Sequence, residues 1–145
     1  MLCRGEWTLC DDGLIRPMML AEILGGDGFW RQVDLLLDTG ADRTVISADA
    51  LGKLTLQHAP AVDGLGGVGG ITESVDVTTK IRLKRDDGQW VTFRGTYAAC
   101  LRQDALDMSV LGRDILNLFA VIVDRAADRI VLLHGADGYA IERRP

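Results

Sequence analysis

Five Asp-Gly dipeptides are spread along the 145 residues of this chain, and they point to a protein built from β-hairpins. Asp-Gly is one of the strongest short-range signals for a tight hairpin turn, because both residues tolerate the backbone angles that such turns require. The segments between the dipeptides are rich in aliphatic, Thr and aromatic residues that alternate in part with polar ones, as strands do. The sequence therefore predicts an all-β fold. The dipeptides begin at Asp12, Asp27, Asp63, Asp87 and Asp137.

Length, charge and cysteine content narrow the class of protein. A chain of this length fits one domain with a core of its own. Its net charge of −5 lacks the basic footprint of a nucleic-acid binder. Three cysteines are an odd number without metal-type spacing, so we expect no disulfide framework, no metal and no cofactor. No apolar stretch is long enough to cross a bilayer and no signal-peptide layout opens the chain, so we expect a soluble, cytoplasmic protein without membrane partners.

The stretch 35–40 combines a solid apolar run with a carboxylate. Leu35, Leu36 and Leu37 are typical of a strand buried on both faces, and they lead directly into Asp38, Thr39 and Gly40. Asp, Thr and Gly also form ordinary surface turns, which is the alternative interpretation. Because surface turns seldom follow three leucines, we favour a carboxylate placed at the mouth of a core.

Pattern and turn signals place the remaining elements. Ser47 is suited to cap a brief helix, and Ile115, Leu116 and Phe119 share one face of another. The region 55–62 has no recognisable period. We predict strands over 5–10, 14–23, 29–38, 45–47, 71–85, 89–99, 110–111, 120–124 and 129–133, with helices over 47–53 and 113–119.

A glycine-rich segment admits two functions. Gly64, Gly66 and Gly69 match the spacing of a dinucleotide-binding loop, but that motif needs a helix after it, whereas strand-forming residues follow here. The tip of a hairpin over 66–70, able to lie over a cleft and open, fits the pattern better. A plain surface turn remains the alternative on these residues alone.

A second carboxylate, Asp42, lies four residues beyond Asp38 and needs a neutralising cation if the two are close. Arg113 follows a glycine at the predicted start of a helix, just after a buried Val-Leu pair. Its planar fork suits a bidentate contact with a carboxylate. We therefore predict an Asp42–Arg113 ion pair, with two independent surface charges as the alternative.

Three segments, in this order, resemble the hallmarks of the retropepsins, the retroviral-type aspartic proteases. They are Leu-Leu-Leu-Asp-Thr-Gly-Ala-Asp-Arg-Thr-Val-Ile at 35–46, Gly-Gly-Val-Gly-Gly at 66–70 and Val-Leu-Gly-Arg-Asp-Ile-Leu at 110–116. The resemblance implies a single-lobe closed β-barrel or sandwich over 14–133, with a flap hairpin and one short helix in the C-terminal half. It also implies a homodimer, in which an N-terminal arm at 1–13 and a tail at 134–145 are candidate interface strands.

The same resemblance implies the chemistry. Asp38 would be the catalytic aspartate, and because the chain has a single Asp-Thr-Gly, a second chain would supply its twin. Thr39 would hydrogen-bond across the two-fold axis and Gly40 would offer its carbonyl to substrate. An extended polypeptide would contact Ala41, Asp42, Gly67, Val68 and Gly69, while Gly112 and Arg113 would support the site and Arg43 would place a base beside the cleft.

The function that follows is that of an aspartic endopeptidase. The main alternative is a catalytically silent retropepsin-like module for dimerisation or peptide binding, which would keep the same frame for structural reasons. A nucleotide-binding domain built on the glycine-rich segment is the third interpretation.

Overall fold

The computed structural model describes residues 1–61, 65–67 and 70–145, and it places side chains for all of these except 65–67 and 70–72. The described residues form twelve strands and two short helices, which confirms the all-β prediction. None of these helices is long and apolar enough to span a membrane. The elements are β1 (Leu2–Leu9), β2 (Ile15–Leu24), β3 (Trp30–Leu37), β4 (Val45–Ile46), α1 (Ala48–Leu54), β5 (His58–Pro60), β6 (Leu65–Gly67), β7 (Gly70–Thr72), β8 (Ser74–Lys84), β9 (Trp90–Cys100), β10 (Val110–Leu111), α2 (Arg113–Leu116), β11 (Ala120–Asp124) and β12 (Arg129–Leu133).

Ten of these strands form one sheet, in the order β11-β12-β1-β2-β3-β10-β4-β9-β8-β5, while β6 and β7 pair separately. Strand β8 also pairs back onto β2, with Ala21 opposite Leu83 and Ile23 opposite Ile81. The pairings therefore lead from β2 through β3, β10, β4, β9 and β8 and return to β2. The fully buried side chains of these strands make up most of the main hydrophobic core.

Three of the predicted Asp-Gly turns share one geometry, at 12–13, 27–28 and 87–88. Each glycine has a φ between 82° and 85° and donates its N–H to the carbonyl three residues earlier, at 2.9 to 3.0 Å. Each aspartate accepts the N–H of the residue two positions later, at 2.9 to 3.1 Å. These are hairpin loops in which a turn is followed by a left-handed glycine, a conformation that residues with a side chain rarely adopt.

Several predicted boundaries differ from the structure. Strand β5 was not expected, because its three residues are all exposed and leave no apolar period to detect. Helix α2 ends at Leu116, three residues early, and the next residues continue as a turn in which Leu118 and Phe119 donate to carbonyls three positions back. Asp137-Gly138 follows the last strand and closes no hairpin, and Asp63-Gly64 lies outside the described residues.

The two chain ends behave differently. The N-terminal segment is a strand of the chain's own sheet, pairing with β12 through Leu2–Gly5 and with β2 through Glu6–Leu9. The segment 134–145 contains no strand or helix. The prediction that these ends contact a second chain stays a prediction.

Strand β10 lies between β3 and β4 and determines which loops meet. Leu36 and Leu37 of β3 pair in parallel with Val110 and Leu111 of β10, and Val110 also faces Val45 of β4. Because β3 and β10 are parallel, the chain leaves both strands at the same edge. The loop at 38–44 and the segment at 112–116 therefore start side by side.

Candidate active site

Strand β3 delivers Asp38 to the edge of the core. Leu35 and Leu37 are buried in the main core, while Leu36 packs on the opposite face against a small second cluster of Val45, Ala98, Cys100 and Val110. The strand is therefore apolar on both faces, as predicted. Asp38 is half-buried, and its N–H donates to the carbonyl of Leu111 at 3.1 Å, continuing the contact with β10.

The backbone of the loop folds back onto the Asp38 carboxylate. The N–H of Gly40 donates to Oδ1 of Asp38 at 2.9 Å, and the N–H of Ala41 donates to the carbonyl of Asp38 at 3.3 Å. A backbone donor aimed at one carboxylate oxygen orients the group. Thr39 lies in this turn and is exposed.

Arg113 makes three contacts with the same loop, which confirms the predicted pairing. Its Nη2 is ion-paired with Asp42, its Nη1 donates to the carbonyl of Thr39 at 3.2 Å, and its backbone N–H donates to the carbonyl of Ala41 at 2.9 Å. The Asp42 side chain is 81% exposed and that of Arg113 is 44% exposed. Exposed ion pairs contribute little to stability. The geometry instead suits Arg113 to positioning the loop.

Gly112 is required by close packing. A Cβ atom built there would lie 2.3 Å from the carbonyl carbon and oxygen of Arg43 and 2.7 Å from the nitrogen of Thr44. Its own N–H donates to the hydroxyl of Thr44 at 3.1 Å. Only a residue without a side chain lets the two segments approach this closely.

Thr44 and Asp114 also join the two segments, a role that the sequence alone did not predict. The Asp114 carboxylate accepts the N–H of Thr44 on both oxygens at 2.9 Å and the Thr44 hydroxyl on Oδ1 at 2.7 Å. Both residues lie within the segments that resemble the retropepsins, at 35–46 and 110–116, and only this position in the sequence could have indicated their role. A hydrogen bond between two buried serines connects the residues that flank these segments: Ser109 Oγ accepts the N–H of Ser47 at 2.9 Å.

The remaining predicted residues are less closely connected to this loop. Gly67 lies in β6, where it pairs with Gly70 in the separate two-stranded sheet. Val68 and Gly69 lie outside the described residues. Arg43 is ion-paired with Asp76 of β8 at 3.0 Å, and its expected position beside a cleft stays a prediction.

The glycine-rich segment lacks the context of a nucleotide-binding loop. Strands β7 and β8 follow it, so no helix N-terminus is available there to meet a phosphate. The nucleotide-binding interpretation is therefore wrong for the part of the chain that the structure describes.

Other ionisable groups in the interior are poorly suited to nucleophilic chemistry. Burial raises the pKa of the Cys3 and Cys100 thiols, which disfavours the reactive thiolate. Burial likewise raises the pKa of Tyr97 to about 12, and its hydroxyl donates to the carbonyl of Phe93 at 3.1 Å. A cavity of about 320 Å³ lies between β3, α1 and residues 107–109, and its lining residues include none of 38–42. The Asp38 loop is therefore the better candidate for catalysis.

Comparison with known proteins gives a consistent result. The model of the family described as retroviral aspartyl protease matches residues 15–132, a range that contains both the Asp38 loop and Arg113. EIAV protease complexed with the inhibitor HBY-793 is 28% identical with a TM-score of 0.54, over 70% of this chain and 86% of that chain. A retropepsin-like aspartic protease from Rickettsia conorii shares the fold at 17% identity with a TM-score of 0.58, over 92% of this chain and 89% of that chain. No curated protein matches the sequence significantly.

Proposed function

Because this chain belongs to the retroviral aspartyl protease family, we propose that it is an aspartic endopeptidase that acts as a homodimer. The observation that carries the proposal is the Asp38 loop, in which Gly40 orients the carboxylate and Arg113 holds the loop by three contacts. The chain contains one Asp-Thr-Gly, so a site with two carboxylates needs one Asp38 from each of two chains.

The proposed mechanism uses the two carboxylates as a unit. Two carboxylates at close range share one proton, because both cannot ionise cheaply, as is established for aspartic proteases. The ionised member takes a proton from a bound water as this water attacks the scissile carbonyl, and the protonated member donates to the carbonyl oxygen. No acyl-enzyme forms. The rate should therefore depend on pH with a bell shape, because one carboxylate must be ionised and the other protonated.

The proposed substrate is an extended polypeptide lying across the dimer. The carbonyl of Gly40, together with Ala41 and Asp42, would contact its main chain, and the two-stranded sheet of β6 and β7 would belong to a flap above it. The closed cycle of strand pairings from β2 to β8 would be the barrel that supports the Asp38 loop and the flap. In this arrangement the small apolar cluster, which packs against Ala41, would border the substrate side chains.

Cleavage of a diverse peptide pool tests this function. We expect wild-type protein to generate new peptide termini, and a peptide mimic with a hydroxyl at the scissile position to inhibit the reaction because it resembles the tetrahedral intermediate. Asp38→Asn should abolish cleavage. Asp34→Asn is the matched control, since Asp34 is an exposed residue of β3 and its replacement makes the same change of charge. If wild-type protein binds peptides but releases no products, the catalytically silent module is the correct interpretation.

Dilution tests the shared site separately. Specific activity should fall steeply at protein concentrations below the dissociation constant of the dimer. Sedimentation velocity on the same samples measures this constant. A monomer that keeps full activity would refute the two-chain mechanism and leave the family assignment intact.

A further inference from the structure

The outward face of the β8–β9 hairpin is basic, although the chain as a whole carries a net charge of −5. Successive residues of a strand point to opposite faces, so the residues of β8 that alternate with its buried core residues point outward. Three of them are Lys80, Arg82 and Lys84. Arg94 of β9 lies directly opposite Lys80 and shares this face. These four cations are called the basic face below.

Most cations of this chain are neutralised, but those of the basic face are not. Nine of the 16 Lys and Arg residues form an ion pair with an Asp or Glu side chain. On the basic face Arg82 is paired with Glu22, whereas Lys80, Lys84 and Arg94 have no ion pair among the described residues. Like charges directly opposite one another across an antiparallel pair are destabilising. A bound carboxylate would relieve this repulsion between Lys80 and Arg94.

Two indole rings hold the centre of the basic face in place. The guanidinium carbon of Arg82 lies 4.1 Å from the centre of the Trp30 ring and 4.2 Å from that of Trp90. Trp90 is 38% exposed, and the ammonium of Lys84 lies 5.8 Å from the centre of its ring. A ligand on the basic face therefore meets a preorganised aromatic surface, and its binding should change tryptophan fluorescence.

One side of β9 is an open edge beside the basic face. Strand β9 pairs with β8 along its whole length, but with β4 only through Ala98 and Ala99. Over 90–97 it has no second strand neighbour within the part of the chain that the structure describes. One carbonyl of this stretch, that of Phe93, accepts the Tyr97 hydroxyl. Alternate backbone groups of an edge strand point away from its partner, so an extended polypeptide can add to this edge.

The cations and the open edge together select an acidic polypeptide. Cations alone attract nucleic acids and anionic lipids as well as acidic proteins. A nucleic acid or a lipid has no peptide groups with which to continue a sheet, whereas an extended polypeptide does. A second copy of this chain, pairing through its own β9, is disfavoured because it would bring another Arg94 to the junction.

We propose that an acidic segment of another protein binds as an added strand along residues 90–97 of β9. Because side chains alternate along a strand, every second residue of this segment lies on the outward face. Carboxylates at these positions would meet Arg94 on the adjacent strand and Lys80 one strand further. The preferred segment therefore has Asp or Glu at every second position. Its binding does not involve Asp38 and does not depend on the proposed protease activity.

The test measures peptide binding to the Asp38→Asn chain, so that no probe is cleaved. The probe is a fluorescein-labelled peptide of about eight alternating Glu and Thr residues, long enough to run along 90–97. We expect saturable binding by fluorescence anisotropy, with a change in tryptophan fluorescence and weaker binding at high salt. Lys80→Gln combined with Arg94→Gln should raise the dissociation constant at least about tenfold, because both facing charges are lost. Absence of saturable binding would overturn the proposal.

Arg4→Gln combined with Arg129→Gln is the matched control. It removes the same charge from exposed positions of β1 and β12. The dissociation constant should change less than about twofold, because exposed charges far from a ligand are screened. An equal loss of affinity in both double variants would show that the peptide responds to net charge alone, which would refute the assignment to the basic face.

N-methylation of the peptide tests the added strand independently of any variant. Only alternate N–H groups of an added strand point to its neighbour. Two further probes therefore carry N-methyl groups either on all Glu residues or on all Thr residues. One of them should lose binding and the other should keep it. If both bind as well as the parent peptide, strand addition is refuted.

Two other anions test the choice of a polypeptide. They are an oligothymidylate of the same net charge as the peptide and vesicles that contain phosphatidylserine. We expect both to bind the Asp38→Asn chain more weakly than the peptide does. Tighter binding of either one, weakened by Lys80→Gln with Arg94→Gln, would assign the basic face to that class of ligand and overturn the proposal.

Discussion

Thr44 donates both its backbone N–H and its hydroxyl to the carboxylate of Asp114, a residue 70 positions away. Thr44 is fully buried and immediately precedes β4, while Asp114 lies in the first turn of α2. The pair therefore ties the end of the Asp38 loop to the segment that carries Arg113. Removing the acceptor would leave buried donors without a partner, which is more costly than the loss of an average hydrogen bond.

Asp114→Ala should lower the free energy of unfolding by about 2–3 kcal/mol, because the donors of Thr44 lose their acceptor. Asp114→Asn keeps one carbonyl oxygen for the hydroxyl and should cost less. Urea denaturation of both variants measures the difference. Equal stability of the Ala variant and the wild type would show that water replaces the carboxylate.

Gly112→Ala should destabilise the protein by about 1–3 kcal/mol, because the added Cβ would meet the backbone of Arg43 and Thr44. Activity should fall with it, since the contacts of Arg113 would shift. Gly52→Ala is the matched control: it lies in α1 with nothing within 4 Å of the added Cβ. There the same change should stabilise the protein by about 0.5–1 kcal/mol. Thermal unfolding of both variants checks the contrast.

Arg113→Lys should reduce kcat/KM about tenfold while changing the free energy of unfolding by less than about 1 kcal/mol. A lysine cannot reach the Asp42 carboxylate and the Thr39 carbonyl together, as the guanidinium does. Arg102→Lys is the control, because Arg102 forms an exposed bidentate pair with Asp104 outside the loop. Similar kinetics for both variants would remove Arg113 from loop positioning.

Arg82 lies between two indole rings, with its guanidinium carbon 4.1 Å from the centre of Trp30 and 4.2 Å from that of Trp90. It is also ion-paired with Glu22. Arg82→Ala should lower the free energy of unfolding by about 1–3 kcal/mol and alter tryptophan fluorescence, because both cation–π contacts are lost. Arg94→Ala, on the exposed face of β9, should change stability by less than about 0.5 kcal/mol. Indistinguishable results would show that the stacked arrangement contributes nothing.

The Arg16 guanidinium and the N–H of Leu14 lower the pKa of Asp12 from 3.8 to about 2. A carboxylate whose pKa is lower in the folded state stabilises that state when it is ionised. This contribution to stability is complete above pH 3.8 and is lost as the pH falls through about 2. Asp12→Asn keeps the turn acceptor without the charge. As the pH falls from 3.8 to about 2, the free energy of unfolding of the Asp12→Asn variant should therefore decrease less than that of the wild type. Urea denaturation of both proteins at a series of pH values measures this difference. Parallel curves would contradict the assignment.

Local features of the fold followed directly from the sequence. The Asp-Gly turns at 12–13, 27–28 and 87–88, the Ser47 cap of α1 and the buried strand before Asp38 were predicted, because each depends on neighbouring residues. The resemblance to the retropepsins is confirmed by the family match over residues 15–132. The edge strand β5 was missed, because an exposed strand has no apolar pattern.

The sequence by itself predicted that Asp38 ends a buried strand, since three consecutive leucines are a local pattern typical of such a strand, and the resemblance to the retropepsins made Asp38 the catalytic candidate. It also suggested the partner of Asp42. Tertiary structure alone decided that β10 lies between β3 and β4, that Thr44 meets Asp114 and that β11 is the last strand of the sheet that the structure describes. These features depend on strand order, which is set by packing between residues some 70 positions apart. Periodicity along the chain reports which face of a strand is buried, but it does not report which strand lies beside it.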